Sequence, residues 1–315
     1  MKPTLAAAVQ WGAPLFDVPA ALSRVEAGIA EAAARGASFI VFPEAFVGGY
    51  PKGVDFGTRV GSRSPAGREW FRRYHAAAIE VPGPETARLG NAAAAARATV
   101  AVGVVERSSR EEGSGTLFCT SLVFAEDGRL AHRHRKLMPT AHERVIWGAG
   151  DGSGLRVAET EAGRVGTLIC WEHFMPAARL ALYGQGVELW AAPTVDDRTT
   201  WAPAMQMVAM EGRCFVVSAC PFLLRRHAPA DFDPIQGNSP DTPLVRGGSV
   251  IVSPLGEILA GPVRDEETIL YAELDPGDIP RGKFDFDVVG HYGRPDLFEL
   301  TVRTAPRKVV RAISD

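Results

Sequence analysis

The octapeptide Gly166-Thr167-Leu168-Ile169-Cys170-Trp171-Glu172-His173 pairs a reactive side chain with a place to use it. Its apolar run reads as a buried strand that stops at Cys170. Met175-Pro176 then opens an Ala/Leu-rich helical stretch, with Gly184 and Gly186 as stop signals. A cysteine in such a strand-to-helix turn sits at the rim of a parallel sheet, where helix N-terminal amides favour a thiolate. The chemistry this offers is nucleophilic attack on an electrophilic carbon. The competing use is a small buried hydrophobe. Two more polar residues stand where apolar strands finish: Glu44 after residues 39–42, and Lys136 after one strand of a hairpin. Ligands of layered sheet proteins gather at the carboxyl ends of parallel strands. Glu, Lys and Cys meeting there would supply a base, a cation and a nucleophile. Read singly, Glu44 is a solvated loop carboxylate, and Lys136 is one exposed charge of the run His132-Arg133-His134-Arg135-Lys136. Yet only five of the 34 basic residues are lysine (Lys2, Lys52, Lys136, Lys283 and Lys308). In an arginine-rich chain, that scarcity favours a site that wants a compact cation able to exchange its proton.

Other chemistries are excluded by pattern. His132 and His134 share one face of a strand and could mimic a metal pair, but no acidic or cysteine ligand lies nearby in sequence, so no metal is expected. Lys52 sits in a glycine-rich stretch without the GxxxxGK[ST] pattern, and no GxGxxG follows a strand, so no nucleotide cofactor is expected either. A formal charge of -3 gives no reason to expect nucleic acid or an anionic membrane as partner. No apolar run approaches the roughly 18 to 20 residues of a membrane span, and residues 5–9 are too short for a signal segment. The cysteines Cys119, Cys170, Cys214 and Cys220 lie far apart with no CxxC pair, which argues for a reducing, cytoplasmic setting. Cys119, Cys214 and Cys220 are assigned to the core.

The elements that must position these residues follow from periodicity. Residues 5–9 read as a strand, and Asp17-Val18-Pro19 opens a helix with Leu22, Val25, Ile29 and Ala33 on one face. Residues 38–42 form an apolar strand ending at Pro43-Glu44. This β-α-β start implies a right-handed crossover and parallel strands. Residues 48–68, with six glycines and two prolines, read as a long loop. A helix over 84–97, a strand over 100–105 and a hairpin of 116–124 with 130–133 come next, before a loop-rich run over 134–154. Strands over 165–169, 188–192 and 214–219 alternate with helices, the second carrying Trp201, Met205 and Val208 on one face. Residues 221–246 read as a surface loop. Residues 249–253 pair with 257–259, and 269–274 add a last strand. No composition break marks a linker, so residues 1–315 read as one domain with a tail from about 275 to 315. The class is α/β or a layered sandwich with mixed sheets.

Read together, three segments resemble the signature segments of the carbon–nitrogen hydrolase superfamily: Phe42-Pro43-Glu44-Ala45-Phe46, Arg135-Lys136-Leu137-Met138-Pro139-Thr140 and Cys170-Trp171-Glu172. The resemblance narrows to the nitrilase branch through Gly49-Tyr50-Pro51, the run His142-Glu143-Arg144-Val145-Ile146-Trp147-Gly148, Cys170-Trp171-Glu172-His173, and His291-Tyr292-Gly293-Arg294-Pro295-Asp296. It implies an αββα sandwich with two mixed sheets that dimerises into a four-layer αββα-αββα assembly. It also implies that Cys170 is the nucleophile, Glu44 the general base, Lys136 the proton-handling cation and Glu143 a supporting carboxylate. The implied reaction takes an organic nitrile and water to the carboxylic acid and ammonia through thioimidate and thioester intermediates. Tyr50, Trp147, Trp171, His173, Thr194 and Trp201 neighbour the catalytic segments and are the expected substrate pocket; packing is their alternative role. The rival readings are an amidase or N-carbamoyl hydrolase with the same site, and a non-catalytic assembly scaffold. Cyanide-converting relatives share much of the same text, so the motifs leave the size of the nitrile open. Many nitrilases extend well beyond the His-Tyr-x-Arg-Pro-Asp segment, whereas this sequence stops at Asp315, about twenty residues after it, so a homodimer or higher homo-oligomer is expected and a long filament is not.

Overall fold

The computed structural model describes residues 1–307; residues 308–315, the end of the expected tail with Lys308, lie outside the described residues. The chain opens with β1 (Thr4–Val9), α1 (Val18–Ala34) and β2 (Phe39–Val41), with β1 and β2 parallel as expected. Asp17 caps α1 by accepting from the Ala20 amide at 3.0 Å, and a proline occupies the first turn, where a missing N–H costs nothing. Ala32, one position before the expected Ala33, completes the buried face of α1.

The expected loop over 48–68 is interrupted. A small ribbon of β3 (Thr58–Arg59) and β4 (Ser62–Arg63) leads into α2 (Pro65–Ala76), which Ser64 caps through the Gly67 amide. This helix buries only Gly67 and Tyr74. Its apolar face is a single turn of aromatics, Trp70, Phe71 and Tyr74, directed at Phe16, Phe56 and Phe232, and so short a pattern next to a glycine- and proline-rich stretch is easily passed over in sequence. Next come α3 (Pro84–Ala96), β5 (Thr99–Arg107) and the hairpin of β6 (Leu117–Phe124) and β7 (Leu130–Arg135). The second half runs β8 (Ala158–Glu159), β9 (Arg164–Thr167), α4 (Pro176–Tyr183), β10 (Leu189–Pro193), α5 (Trp201–Gly212) and β11 (Phe215–Ala219). The expected surface loop over 221–246 contains a ribbon, β12 (Phe222–Leu224) with β13 (Pro243–Arg246), held by Leu223, Leu244 and Val245 packing against Leu15 and Phe232. Then follow β14 (Val250–Val252), β15 (Ile258–Ala260), β16 (Ile269–Leu274) and α6 (Asp278–Asp285). The last is a helix within the expected tail that buries one residue, Gly282.

Two six-stranded mixed sheets result, ordered β16-β1-β2-β5-β6-β7 and β15-β14-β11-β10-β9-β8. Strand period two sorts the side chains. Ala6, Ala8, Phe39, Val41 and Ala101 face Val165, Leu189, Ala191, Phe215 and Val217 between the sheets. The alternate residues Ala7, Val9, Ile40 and Phe42 pack under α1 and α3 against Leu22, Val25, Ile29 and Leu89. On the far side, Trp190, Ala192 and Val216 meet Leu182, Met205 and Val208 of α4 and α5. The layers are therefore α-β-β-α, and each fully buried side chain of Val, Leu or Phe size contributes about 1.5–3 kcal/mol of hydrophobic stabilisation. β1 pairs antiparallel with β16 from Thr4↔Leu274 to Val9↔Ile269, so the two ends of the fold close one sheet.

Candidate active site

The four candidate catalytic side chains come from both sheets and meet in the interior. Glu44 follows β2 in a turn where Ala45 takes φ 48°. The backbone of that turn lies against Gly103 of β5, where a Cβ would sit 2.3 Å from the Pro43 carbonyl oxygen and 2.8 Å from the Glu44 Cα. Only glycine permits that approach. Lys136 directly follows β7, and its amide donates to the Cys119 carbonyl at 2.8 Å, prolonging the ladder. Glu143 sits in a single 3-10 turn, Ala141–Val145, and its Oε2 accepts from the Thr140 amide at 2.7 Å. Cys170 begins another such turn, Cys170–Phe174, with φ 50°, a left-handed conformation that costs a side-chain-bearing residue on the order of 1–3 kcal/mol.

Lys136 is buried and its Nζ donates to Glu44 Oε1 and to Glu143 Oε2, each at 2.7 Å. Tyr50 donates its hydroxyl to Glu143 Oε1 at 2.7 Å. One ammonium thus faces two carboxylates, and the third of its three protons is left over. Burial pulls the Lys136 ammonium toward losing its proton, but the Glu44 carboxylate first, and Glu143 with it, outweigh it and hold the group above the usual lysine range. Burial pushes the Glu44 carboxyl up, opposed by Lys136 and reinforced by Glu143. Glu44 Oε2 is buried with no hydrogen-bond partner among the described residues. Glu44 also walls a chamber of about 20 Å³ with Leu15, Phe46, Gly49 and Leu223. That is space for one water molecule.

Helix amides at Cys170 were expected to favour a thiolate, and here the structure differs. α4 starts only at Pro176, and the sulfur is buried beside a carboxylate. Burial first, then the Glu44 charge, push the thiol well above its usual range, so the resting group is S–H. Thr194 donates its hydroxyl to the sulfur at 3.2 Å.

A cavity of about 280 Å³ opens over this cluster, lined by Tyr50, Lys52, Thr140, Glu143, Cys170, Trp171, Val195, Asp196, Asp197 and Arg198. Of the expected pocket residues, Tyr50 and Trp171 line it and Thr194 touches the sulfur. Trp147, His173 and Trp201 do not line it. Trp147 packs edge-on against Tyr50, 5.6 Å between centroids, with Lys136 Nζ 5.7 Å from its ring. His173 donates from Nδ1 to the Cys170 carbonyl at 2.6 Å and accepts from Trp190 Nε1 at 2.8 Å, which makes it a neutral brace; its pKa is lowered by burial to about 4. Trp201 donates to Ser218 Oγ and packs on His173. The wall residues Asp196, Asp197 and Arg198 escaped sequence reasoning. Their one signal was position, just after the buried strand that ends at Pro193 and Thr194. Trp171 Nε1 donates to Asp196 Oδ2 at 2.8 Å, and Arg198 pairs with the same carboxylate while lying 4.7 Å over the indole, so the rim is cross-braced. Cys119, expected as core, is buried but also places its sulfur 3.5 Å from Glu44 Oε1.

Residues 5–283 match the carbon–nitrogen hydrolase family model. The chain belongs to the carbon–nitrogen hydrolase family. Among its relatives is an aliphatic nitrilase of Sinorhizobium fredii (strain HH103), 52% identical over 96% of this chain and 97% of that one. A bifunctional nitrilase/nitrile hydratase of Lupinus angustifolius is 48% identical over 98% of this chain and 88% of that one. The fold of this carbon–nitrogen hydrolase is shared with a member of branch 10 of the nitrilase superfamily from Saccharomyces cerevisiae. The TM-score is 0.69 at 24% identity, covering 92% of this chain and 97% of that one.

Proposed function

We propose that this carbon–nitrogen hydrolase is a nitrilase, converting an organic nitrile and two waters to the carboxylic acid and ammonia through covalent intermediates on Cys170. The observation that carries the reading is the convergence of the Cys170 thiol and the Glu44–Lys136–Glu143 network beneath one cavity, in a chain about half identical to named nitrilases over nearly its whole length. A nitrile carbon is a weak electrophile and calls for a strong nucleophile. Glu44 takes the thiol proton as the sulfur adds to the nitrile carbon. The free proton of Lys136 passes to the nitrogen, giving a thioimidate, and Glu44 returns its proton to Lys136. A water, deprotonated by Glu44, adds to the thioimidate carbon; the nitrogen is protonated and leaves as ammonia, and a thioester remains. A second water, activated the same way, releases the acid and restores the thiol. Throughout, the Lys136 ammonium stabilises charge on the tetrahedral species. Glu143, fixed by Tyr50 and the Thr140 amide, holds Lys136 in place. The Lupinus angustifolius relative is named for both acid and amide formation. In the same scheme an amide results when the tetrahedral intermediate expels the sulfur before its nitrogen is protonated.

A cavity of about 280 Å³ lies at the small end of ligand pockets, which supports a compact nitrile over a bulky arylaceto one. Four buried, unpaired cysteines support a cytoplasmic setting. Among the described residues no helix is long and apolar enough to cross a membrane. The pairing of β1 with β16 supports a single domain, and exposed apolar side chains on the outer helices support a homodimer. The deciding experiment measures ammonia release from aliphatic, aromatic and arylaceto nitriles beside their amides, for wild type and Cys170→Ala. Ammonia from nitriles, lost in the variant, is expected. Ammonia from amides alone would move the chain to the amidase reading, and silence on both would favour the scaffold.

A further inference from the structure

Glu172 lies two residues after Cys170, is buried, and does not line the cavity. Its carboxylate is nonetheless fully occupied. Oε1 accepts from the Leu137 amide at 2.7 Å and from His134 Nε2 at 3.1 Å; Oε2 accepts from the Ile169 amide at 2.7 Å and from the same nitrogen at 2.9 Å. Leu137 is the residue after Lys136, and Ile169 is the residue before Cys170. Lys136 follows a strand of one sheet and Cys170 a strand of the other. A single carboxylate therefore ties together the backbone on which both reacting groups are mounted, across the gap between the sheets.

His134 completes the clamp. Its Nδ1 lies 3.0 Å from the Gly154 carbonyl oxygen and its Nε2 faces Glu172, so both neighbours can only accept. Both nitrogens must donate, which makes the ring an imidazolium. A buried ion pair offsets its desolvation cost only when its donors and acceptors are matched, and here each one is. The arrangement also answers a local need, because Cys170 holds a left-handed backbone that its surroundings must enforce.

We infer that Glu172, clamped by the His134 imidazolium, is the positioning residue that sets the Cys170 sulfur against the Lys136 ammonium. The inference rests on the reading of those two as reacting groups. In Glu172→Gln, the amide oxygen still accepts from one backbone N–H, but the amide N–H₂ confronts the other donor and the imidazolium loses its counter-charge. Misplacing reacting groups by about 1 Å costs on the order of 10²-fold in rate, so kcat per titrated active site should fall by about that factor. KM should stay within about threefold, because Glu172 does not touch the cavity, and alkylation of Cys170 by iodoacetamide should slow by about tenfold or more. His134→Gln keeps one donor toward Glu172 while removing the charge, and should lower kcat by about tenfold with KM again little changed. A merely structural brace would lower the melting temperature and leave kcat per titrated site and the alkylation rate at wild-type values; that outcome in Glu172→Gln overturns the inference. Where Glu172→Gln yields no folded enzyme, an unchanged kcat in His134→Gln does the same. Cys170→Ala is run alongside: full activity in that variant would overturn the nucleophile reading and this inference together, whereas an inactive Cys170→Ala with a fully active Glu172→Gln would overturn this inference alone.

Discussion

At the scale of single residues, the candidate site stores its reactivity in a neutral thiol beside a carboxylate. The pH dependence follows from that. The proposed base, Glu44, works only when ionised, and burial raises its pKa above the ordinary carboxylate range of about 4.3. Activity should therefore be lost as pH falls through the raised Glu44 value, at a higher pH than an exposed glutamate would give. A kcat/KM profile checks this; an acid limb at or below the ordinary glutamate value would contradict the burial argument. Lys136 is held above the usual lysine range, so its ammonium should persist across the neutral and mildly alkaline region. Lys136→Ala removes the cation between two carboxylates and leaves Glu44 and Glu143 buried and unpaired. Loss of preorganised charge stabilisation costs on the order of 10²–10³-fold in kcat, which single-turnover kinetics on a small nitrile would measure.

At the scale of elements, a few close approaches decide where these groups stand. Gly103→Ala would drive a methyl group onto the Pro43 carbonyl oxygen and the Glu44 Cα, both backbone atoms that cannot swing aside. The expected result is a loss of about 2–4 kcal/mol with much reduced kcat, read by urea unfolding and kinetics together. The His134–Glu172 pair should leave its own mark on stability. Burial alone would lower the His134 pKa, but Glu172 outweighs it and the value is raised; burial alone would raise Glu172, but His134 and two backbone amides outweigh it and the value is lowered. A raised histidine contributes stability that is fully present below its unfolded pKa of about 6.5 and is lost as pH rises through the folded value. A lowered glutamate contributes above about 4.3, and that is lost as pH falls. The pair's contribution is therefore greatest between about pH 4.3 and 6.5. Urea midpoints of wild type against Glu172→Gln across pH 4 to 9 should differ most in that window, as an order-of-magnitude expectation from linkage.

At the scale of the whole molecule, the outer helices carry apolar side chains that nothing among the described residues covers: Leu180 on α4, and Met207 and Met210 on α5, are each at least 37% exposed. Stacking this layer on its copy would give the proposed four-layer dimer. Met207→Glu with Met210→Glu should shift the protein to monomer in sedimentation or light-scattering measurements. An unchanged mass would place any interface elsewhere. α4 carries Leu180 just beyond the turn that holds Cys170, so the monomeric variant is also expected to lose activity.

The layered α/β class, the β-α-β start, the final strand and the four polar residues that meet beneath the cavity were legible in sequence, because each leaves a local mark. Buried strands are short apolar runs; Glu44 and Cys170 stop two of them, and Lys136 is one of few lysines. What lacked a strong local mark was missed. α2 offers one short aromatic face of Trp70, Phe71 and Tyr74, α6 buries only Gly282, and β12 pairs with β13 across about twenty intervening residues and packs on Leu15, which is distant in the chain. Asp196, Asp197 and Arg198 reach the cavity because parallel strands β9 and β10 bring the residues after them beside Cys170. Neighbourhood along the chain also misled: Trp147, His173 and Trp201 stand next to catalytic text yet turn into the packing behind it. By itself the sequence determined which residue types are available and which strand ends carry them. Only the tertiary structure decided that Cys170 rests as a thiol rather than a thiolate, and that one buried carboxylate ties the two sheets beneath the site. Charge state and spacing depend on desolvation and on partners distant in the chain, and neither is encoded in any local window.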